Sequence, residues 1–231
     1  ADPPVNFWPF RRPLDPLAQT YRDATPRRVP GRRPWSELRF LVLDAETSGF
    51  KVGHDRLLSL ATMPALGGDL RVGEAAGWVV RQPAATVNAA TAVHGILPAD
   101  TAAGDAERDV LAALLPQLHG AIIVGHHISF DCAMIDEALR RHFGTGLRNP
   151  HLDTAALAQQ TLDAFGRTAY PGQRPPTLEE LCAHCDIPLM DRHTAAGDTF
   201  TTAELFLFLC ARLRRRLGRP LLARDLPIAH G

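Results

Sequence analysis

Phe40-Leu41-Val42-Leu43-Asp44-Ala45-Glu46-Thr47-Ser48-Gly49 is the stretch on which the reading of this chain turns. Its first four residues form the continuous apolar run expected of a strand buried on both faces. Two acids follow, and Gly49 breaks the run. Asp44 and Glu46 are two positions apart, so in an extended chain both carboxylates point to one side. Burying either is costly unless it is paired or holds a metal. Two adjacent acids also repel each other, a conflict that a divalent cation relieves. On these residues alone two readings stand: a metal-holding pair, or two solvated acids at a strand end.

Bulk properties set the frame. At 231 residues, 45% hydrophobic and 22% charged, the chain has room for one substantial core, alone or with an extension. The 25 basic and 25 acidic residues cancel, so binding to nucleic acid has to rest on a local patch rather than on net charge. No apolar run approaches the ~20 residues of a membrane helix. Phe7-Trp8-Pro9-Phe10 is too short and broken for a signal-peptide core, so a cytoplasmic, membrane-free protein is expected. Cys132, Cys182, Cys185 and Cys210 read as reduced thiols. The pair Cys182-Ala183-His184-Cys185 fits either half of a zinc site or two small residues on one helical face.

Three regions emerge. Residues 1–36 hold eight of the 19 prolines and seven arginines without periodicity, and read as an extended arm. The arm is either a tail docking its aromatics Phe7, Trp8, Phe10 and Trp35 on the body, or a basic strip beside a nucleic-acid groove. Residues 37–218 form the folded domain, and 219–231 a C-terminal tail. Within the domain, strands are expected at about 38–44, 56–63 and 70–81, with Gly67-Gly68-Asp69 turning a hairpin. A helix over 105–119 places Val110, Leu111, Leu114, Leu115 and Leu118 on one face. A fourth strand at 121–125 leads into a helix to about 142, a fifth strand lies near 149–153, and a helix spans 154–162. Residues 163–176 read as a Gly/Pro-rich loop, Thr177 as an N-cap, and 198–217 as the last helix. A meander followed by alternating helices and strands implies a mixed α/β sheet with helices packed on it.

The acids then converge. Ligands in open α/β sheets lie beyond the carboxyl ends of strands. Asp44 and Glu46 occupy such an end, Asp131 follows the fourth strand, and Asp198 opens the last helix. Four carboxylates round one or two hard cations are a donor set such ions accept. His193, five residues before Asp198 in a Gly/Ala-rich loop, is placed to act as a general base toward water.

Asp-x-Glu-Thr-Ser-Gly at 44–49, Val-Gly-His-His-x-x-Phe-Asp at 124–131 and Arg-His-Thr-Ala-x-Gly-Asp at 192–198 resemble, in order, the three motifs of the DEDDh 3′–5′ exonucleases. These are relatives of the proofreading epsilon subunit of bacterial DNA polymerase III. The resemblance runs from about Arg39 to Leu217. It implies a ribonuclease-H-like fold, here a five-stranded mixed sheet flanked by helices. It also implies two divalent ions, Mg2+ with Mn2+ able to substitute, that assist removal of nucleoside 5′-monophosphates from the 3′ end of single-stranded nucleic acid. By the same resemblance Asp44, Glu46, Asp131 and Asp198 are the metal ligands and His193 the base. Thr194 stands where the tyrosine variant of the family has Tyr. Thr47, Leu57, His94 and Phe130 are implied to line the substrate pocket, with a core role as the competing reading of Phe130. Asp153 is implied to be structural, and His127 stands where many members have Asn. DNA is the favoured polymer; the alternatives are a ribonuclease of the same fold, of oligoribonuclease or ribonuclease T type, and a catalytically silent nucleic-acid-binding module. The short stretch after the last helix favours a stand-alone enzyme, with the N-terminal arm as the possible link to a polymerase or repair partner.

Overall fold

The computed structural model describes residues 14–82, 90–166 and 173–230. Phe7, Trp8 and Phe10 of the expected arm lie outside them, as do residues 167–172 of the Gly/Pro-rich loop. In chain order the elements are α1 (Pro16–Ala24), β1 (Arg39–Thr47), β2 (Leu57–Leu66), β3 (Asp69–Leu70), β4 (Ala76–Val79), α2 (Thr91–His94), α3 (Pro98–Ala102) and α4 (Glu107–Leu118). Then follow β5 (Ile122–Gly125), α5 (Ser129–Phe143), β6 (His151–Asp153), α6 (Thr154–Thr161), α7 (Leu178–Cys185), α8 (Ala195–Leu217) and β7 (Ile228–Ala229).

The strands form one mixed sheet in the order β3-β2-β1-β5-β6-β7, with β4 also paired to β2. β1 is antiparallel to β2 and parallel to β5. Its alternation builds two cores. Phe40 and Val42 face α8 and pack with Phe206, Leu209 and Leu213. Leu41 and Leu43 face the other way and pack with Leu111, Leu114 and Ile135 of α4 and α5. The run Phe40–Leu43 is therefore buried on both faces, as its composition requires.

Among the described residues the sheet has seven strands rather than five. The expected third strand over 70–81 is split into β3 and β4 by a 3-10 turn at Val72–Glu74, closed by Glu74 N–H donating to the Arg71 carbonyl at 2.8 Å. The two pieces pair with opposite ends of the ten-residue β2, which is long enough to hold both. Gly67 and Gly68 make the hairpin turn with φ of 56° and 101°, values that favour glycine. The seventh strand, β7, comes from the expected tail and pairs with β6.

The arm differs too. Residues 16–24 form a helix capped by Asp15, whose carboxylate accepts from Leu17 N–H at 2.9 Å. Ala18 and Tyr21 are fully buried, and the Tyr21 hydroxyl donates to Asn149 Oδ1 at 2.7 Å. Trp35 packs on Phe40 and Phe206, with ring centroids 5.0 and 5.7 Å away. Trp35 N–H also donates to the Leu221 carbonyl at 2.9 Å, which ties the arm to the tail. A single buried face of two residues among eight prolines is too short a period to read from sequence. All four cysteines are free, and Cys132, Cys182 and Cys210 are buried. Among the described residues no helix is long and apolar enough to cross a membrane.

Candidate active site

β1 does not stop at the acids. It runs through them to Thr47, so Asp44 and Glu46 keep the alternation of Phe40 and Val42 and face α8. The register slips by one residue between Glu46 and Thr47, which ends the pairing just past the second acid. From the facing side, α8 begins at Ala195. Its N-cap Thr194 accepts from Gly197 N–H at 3.1 Å through its hydroxyl, which sets Asp198 in the first turn, where a negative charge suits the helix end. Gly197 is obligatory here: a Cβ would collide with the backbone oxygens of Met190 and Asp191.

The result is a three-carboxylate cluster. One oxygen each from Asp44, Glu46 and Asp198 lies within 4.8 Å of the others. Asp131, in the first turn of α5, is buried beside Asp44 but outside that cluster. Its Oδ1 accepts from Ala45 N–H at 3.0 Å, between the two acids of β1. Burial raises Asp44 well above the usual carboxylate range, and the charges of Asp131, Asp198 and Glu46 raise it further. Burial, Asp198 and Asp131 push Glu46 up to about 7. Burial also pushes Asp131 up to about 7, against the lowering effect of backbone hydrogen bonds including that from Ala45. Such acids are held against their preference for water, and a hard divalent cation with oxygen ligands is the group that fits them.

His193 is tied to this cluster through its backbone. It is exposed, with φ of 62°, and its N–H donates to Asp198 Oδ2 at 3.2 Å. Asp191, two residues earlier, also has a positive φ, of 36°. Two non-glycine residues in this region mark a strained loop, as is common at functional sites.

A family model described as exonuclease (RNase T) matches residues 41–206, which include all five of these side chains. The chain belongs to this exonuclease family, of DEDD type. A DNA polymerase III subunit epsilon-like protein of Rhodobacter capsulatus is 35% identical over 187 residues, covering 79% of this chain and 25% of the relative. The DNA polymerase III subunit epsilon of Aquifex aeolicus is 26% identical, covering 78% of this chain and 84% of the relative. The chain thus spans a quarter of the length of the first relative and most of the second. In fold, it resembles the crystal structure of E. coli Exonuclease I in complex with a dT13 oligonucleotide, with a TM-score of 0.63, 21% identity and coverage of 79% of this chain and 43% of that one.

The remaining positions that the resemblance implies differ in their surroundings. Thr47 is buried and its hydroxyl donates to the Gly49 carbonyl at 2.8 Å. His94 is buried close to the Thr47 backbone; its Nδ1 accepts from Ile96 N–H at 3.0 Å, and burial lowers its pKa. Phe130 is half-buried, with its ring 6.1 Å from that of Phe50, which is 75% exposed. Leu57 is the exception. It is 1% exposed and packs in the core with Leu41 and Leu43, because the slip opposite Thr47 turns it to the face away from α8. Asp153 caps α6 by accepting from Ala155 N–H at 2.8 Å, and also accepts from His127 N–H at 3.2 Å. His127 is exposed, with φ of 55°, and its ring lies 4.2 Å from that of His126. Burial, and then the charge of His127, lowers the pKa of His126 to about 4.

Two residues at the site carry no assignment from sequence. The Arg192 guanidinium ion-pairs with both Asp198 and Glu179. Burial alone would raise Glu179, but the hydrogen bond and charge of Arg192 outweigh it and hold the acid at about 2. The only trace in sequence is that Arg192 opens the third motif; Glu179 lies thirteen residues upstream with no periodic link to it.

Proposed function

We propose that the chain is a divalent-cation-dependent 3′–5′ exonuclease that releases nucleoside 5′-monophosphates from single-stranded nucleic acid, with DNA as the favoured polymer. The observation that carries this reading is the mutual approach, within 4.8 Å, of Asp44, Glu46 and Asp198 oxygens. Family membership supports it, as do the polymerase III names of the relatives and the dT13 bound to Exonuclease I.

Asp44, Glu46 and Asp198 are the residues that would hold the first cation. Asp44 with Asp131 is the pair suited to a second. When bound, divalent cations polarise the scissile phosphate and neutralise the charge that develops on the attacking and leaving oxygens. His193 would take the proton of the attacking water on a ring nitrogen; its backbone N–H bond to Asp198 keeps the residue next to one of the three clustered acids. The bond from His193 N–H to Asp198 holds the loop, and the His193 side chain is exposed. Ala45 N–H fixes Asp131 next to β1, where it would serve as a ligand of that second cation.

The test is release of mononucleotides from a 5′-labelled single-stranded DNA with Mg2+ or Mn2+, run beside a matched RNA and a dinucleotide. Stepwise shortening from the 3′ end that EDTA stops, and that Asp44→Ala abolishes, is the expected outcome. Full activity in EDTA would refute the reading, and shortening of RNA alone would reassign the polymer.

A further inference from the structure

Away from the carboxylates, positive charge collects at the far end of α8. Backbone hydrogen bonds join the arm to the tail there: Trp35 N–H donates to the Leu221 carbonyl, Ala223 N–H to that of Arg33, and Arg224 N–H to that of Gly31, each at 2.9 Å. Arg32 and Arg33 are thereby set beside Arg219 and Arg224, and the tail leaves directly from the last turn of α8, which carries Arg214, Arg215 and Arg216. All seven arginines are exposed. Arg219 pairs with Asp225, and Arg33 only loosely with Glu37, at 3.9 Å. Among the described residues the other five have no ion pair. The chain as a whole carries no net charge, so this end holds a local surplus. The helix dipole accounts for positive charge in the last turn of α8, but not for the arginines of the arm and the tail. Next to Arg214 opens a cavity of about 320 Å3, lined by Trp35, Leu207, Ala211, Leu221 and one acid, Asp69.

We propose that this arginine surface is a second nucleic-acid contact, remote from the carboxylates, which holds phosphates of the single strand several nucleotides to the 5′ side of the reacting end; the proposal rests on the exonuclease reading above. Asp198 and Arg214 lie on the same helix, sixteen residues apart, or about 24 Å at the rise of an α-helix. A strand held by its 3′ end covers that distance with about seven nucleotides at a stacked spacing of ~3.4 Å. The guanidinium fork matches the oxygens of a phosphate two at a time. Arginines beside an apolar recess with an aromatic wall are the combination that single-strand surfaces use, charge for the backbone and a recess for a base. An acidic protein would answer the same charge. The exonuclease reading, however, already brings a polyanion to this molecule by its end, and the structure holds nothing that brings an acidic protein here.

Length makes the proposal testable, because a short strand cannot span the distance. The experiment measures kcat/KM with Mg2+ on 5′-labelled single-stranded DNA of 4 and of 20 nucleotides, in 50 to 200 mM NaCl. It compares wild type with the triple variants R214Q/R215Q/R224Q and R214K/R215K/R224K. The ratio of the two substrates is independent of the folded fraction, so a loss of stability does not enter it. Wild type should favour the 20-mer by about tenfold or more at the lower salt, and this advantage should shrink as salt rises, since each neutralised phosphate of a single strand adds about 0.7 to the log–log salt slope. The glutamine triple should flatten the slope for the 20-mer by about 2, the share of three contacts, and bring the 20-mer close to the 4-mer. The 4-mer should react as in wild type, and the lysine triple should keep most of the advantage. The inference is overturned if the glutamine triple keeps the wild-type ratio and slope, the outcome expected of a surface that meets an acidic protein instead. An inactive wild type sinks the exonuclease reading; an active wild type indifferent to length sinks only the arginine surface.

Discussion

The two halves of β1 obey one rule to opposite ends. Phe40–Leu43 sends alternate side chains into two cores and is wholly buried. Asp44–Thr47 keeps the same alternation and the same partner strand, yet its inward positions are acids that repel each other and their neighbours. The first half lowers the free energy of the fold by removing apolar surface from water. The second half raises it, and the strain is held because the first half, α8 and α5 fix the backbone on both sides. Stability and chemistry are thus carried by adjacent residues of one strand, and substitutions should separate them.

The largest effect is expected in the acidic half. Asp44→Asn should cut mononucleotide release at least roughly 10²-fold, the scale on which removing one charge-stabilising group acts. Its melting temperature in EDTA should equal or exceed that of wild type, since a costly buried charge is gone. A variant that loses activity and unfolds would break the separation. In the apolar half, Phe206→Ala removes the fully buried ring that packs edge-on against Phe40 at 4.9 Å. It should cost about 3–5 kcal/mol of stability, measured by denaturant unfolding, while the folded fraction keeps its kcat.

The pH dependence sharpens the contrast. Glu46 sits at about 7 in the folded protein against 4.5 ordinarily, so between those values the native state binds the extra proton. Its contribution to stability in EDTA is present below about 4.5 and is lost as pH rises through about 7. Glu46→Gln should remove this fall, so the difference in melting temperature between variant and wild type should grow in the variant's favour from pH 4.5 to 7. Protons compete with cations for the same oxygens, so cation affinity and exonuclease rate should rise over the window ending near 7. A flat rate between pH 5 and 8 would contradict the raised values of Glu46 and Asp131. The smallest effect belongs to Arg192. Arg192→Gln frees Asp198 and Glu179, so the protein in EDTA should be less stable by about 1 kcal/mol, and Mg2+ should restore more stability than it does to wild type. An equal gain from Mg2+ in both proteins would show that the guanidinium does not compete with the cation.

From the sequence alone came the features that depend on neighbours along the chain. The apolar run of β1, the Gly67–Gly68 turn, the amphipathic α4 and the Thr177 cap are each set by local periodicity or backbone preference, and the three acidic motifs were legible through their resemblance to the DEDDh exonucleases. Asp44 and Glu46 were legible as a pair because two acids two apart on a strand share a face wherever the strand lies. Tertiary structure decided what depends on partners distant in sequence. Only the fold shows that α1 buries Tyr21 against Asn149, that residues 228–229 extend the sheet, and that the turn at 72–74 splits the partner of β2 into β3 and β4. It buries Leu57 because a one-residue slip reverses the face of a side chain, and no composition records a slip. It brings Arg192 to Asp198 and Glu179, and it joins Arg32 and Arg33 to Arg219 and Arg224. Charges far apart in a sequence announce nothing about each other; what they share here is a surface, and a surface exists only once the chain has folded.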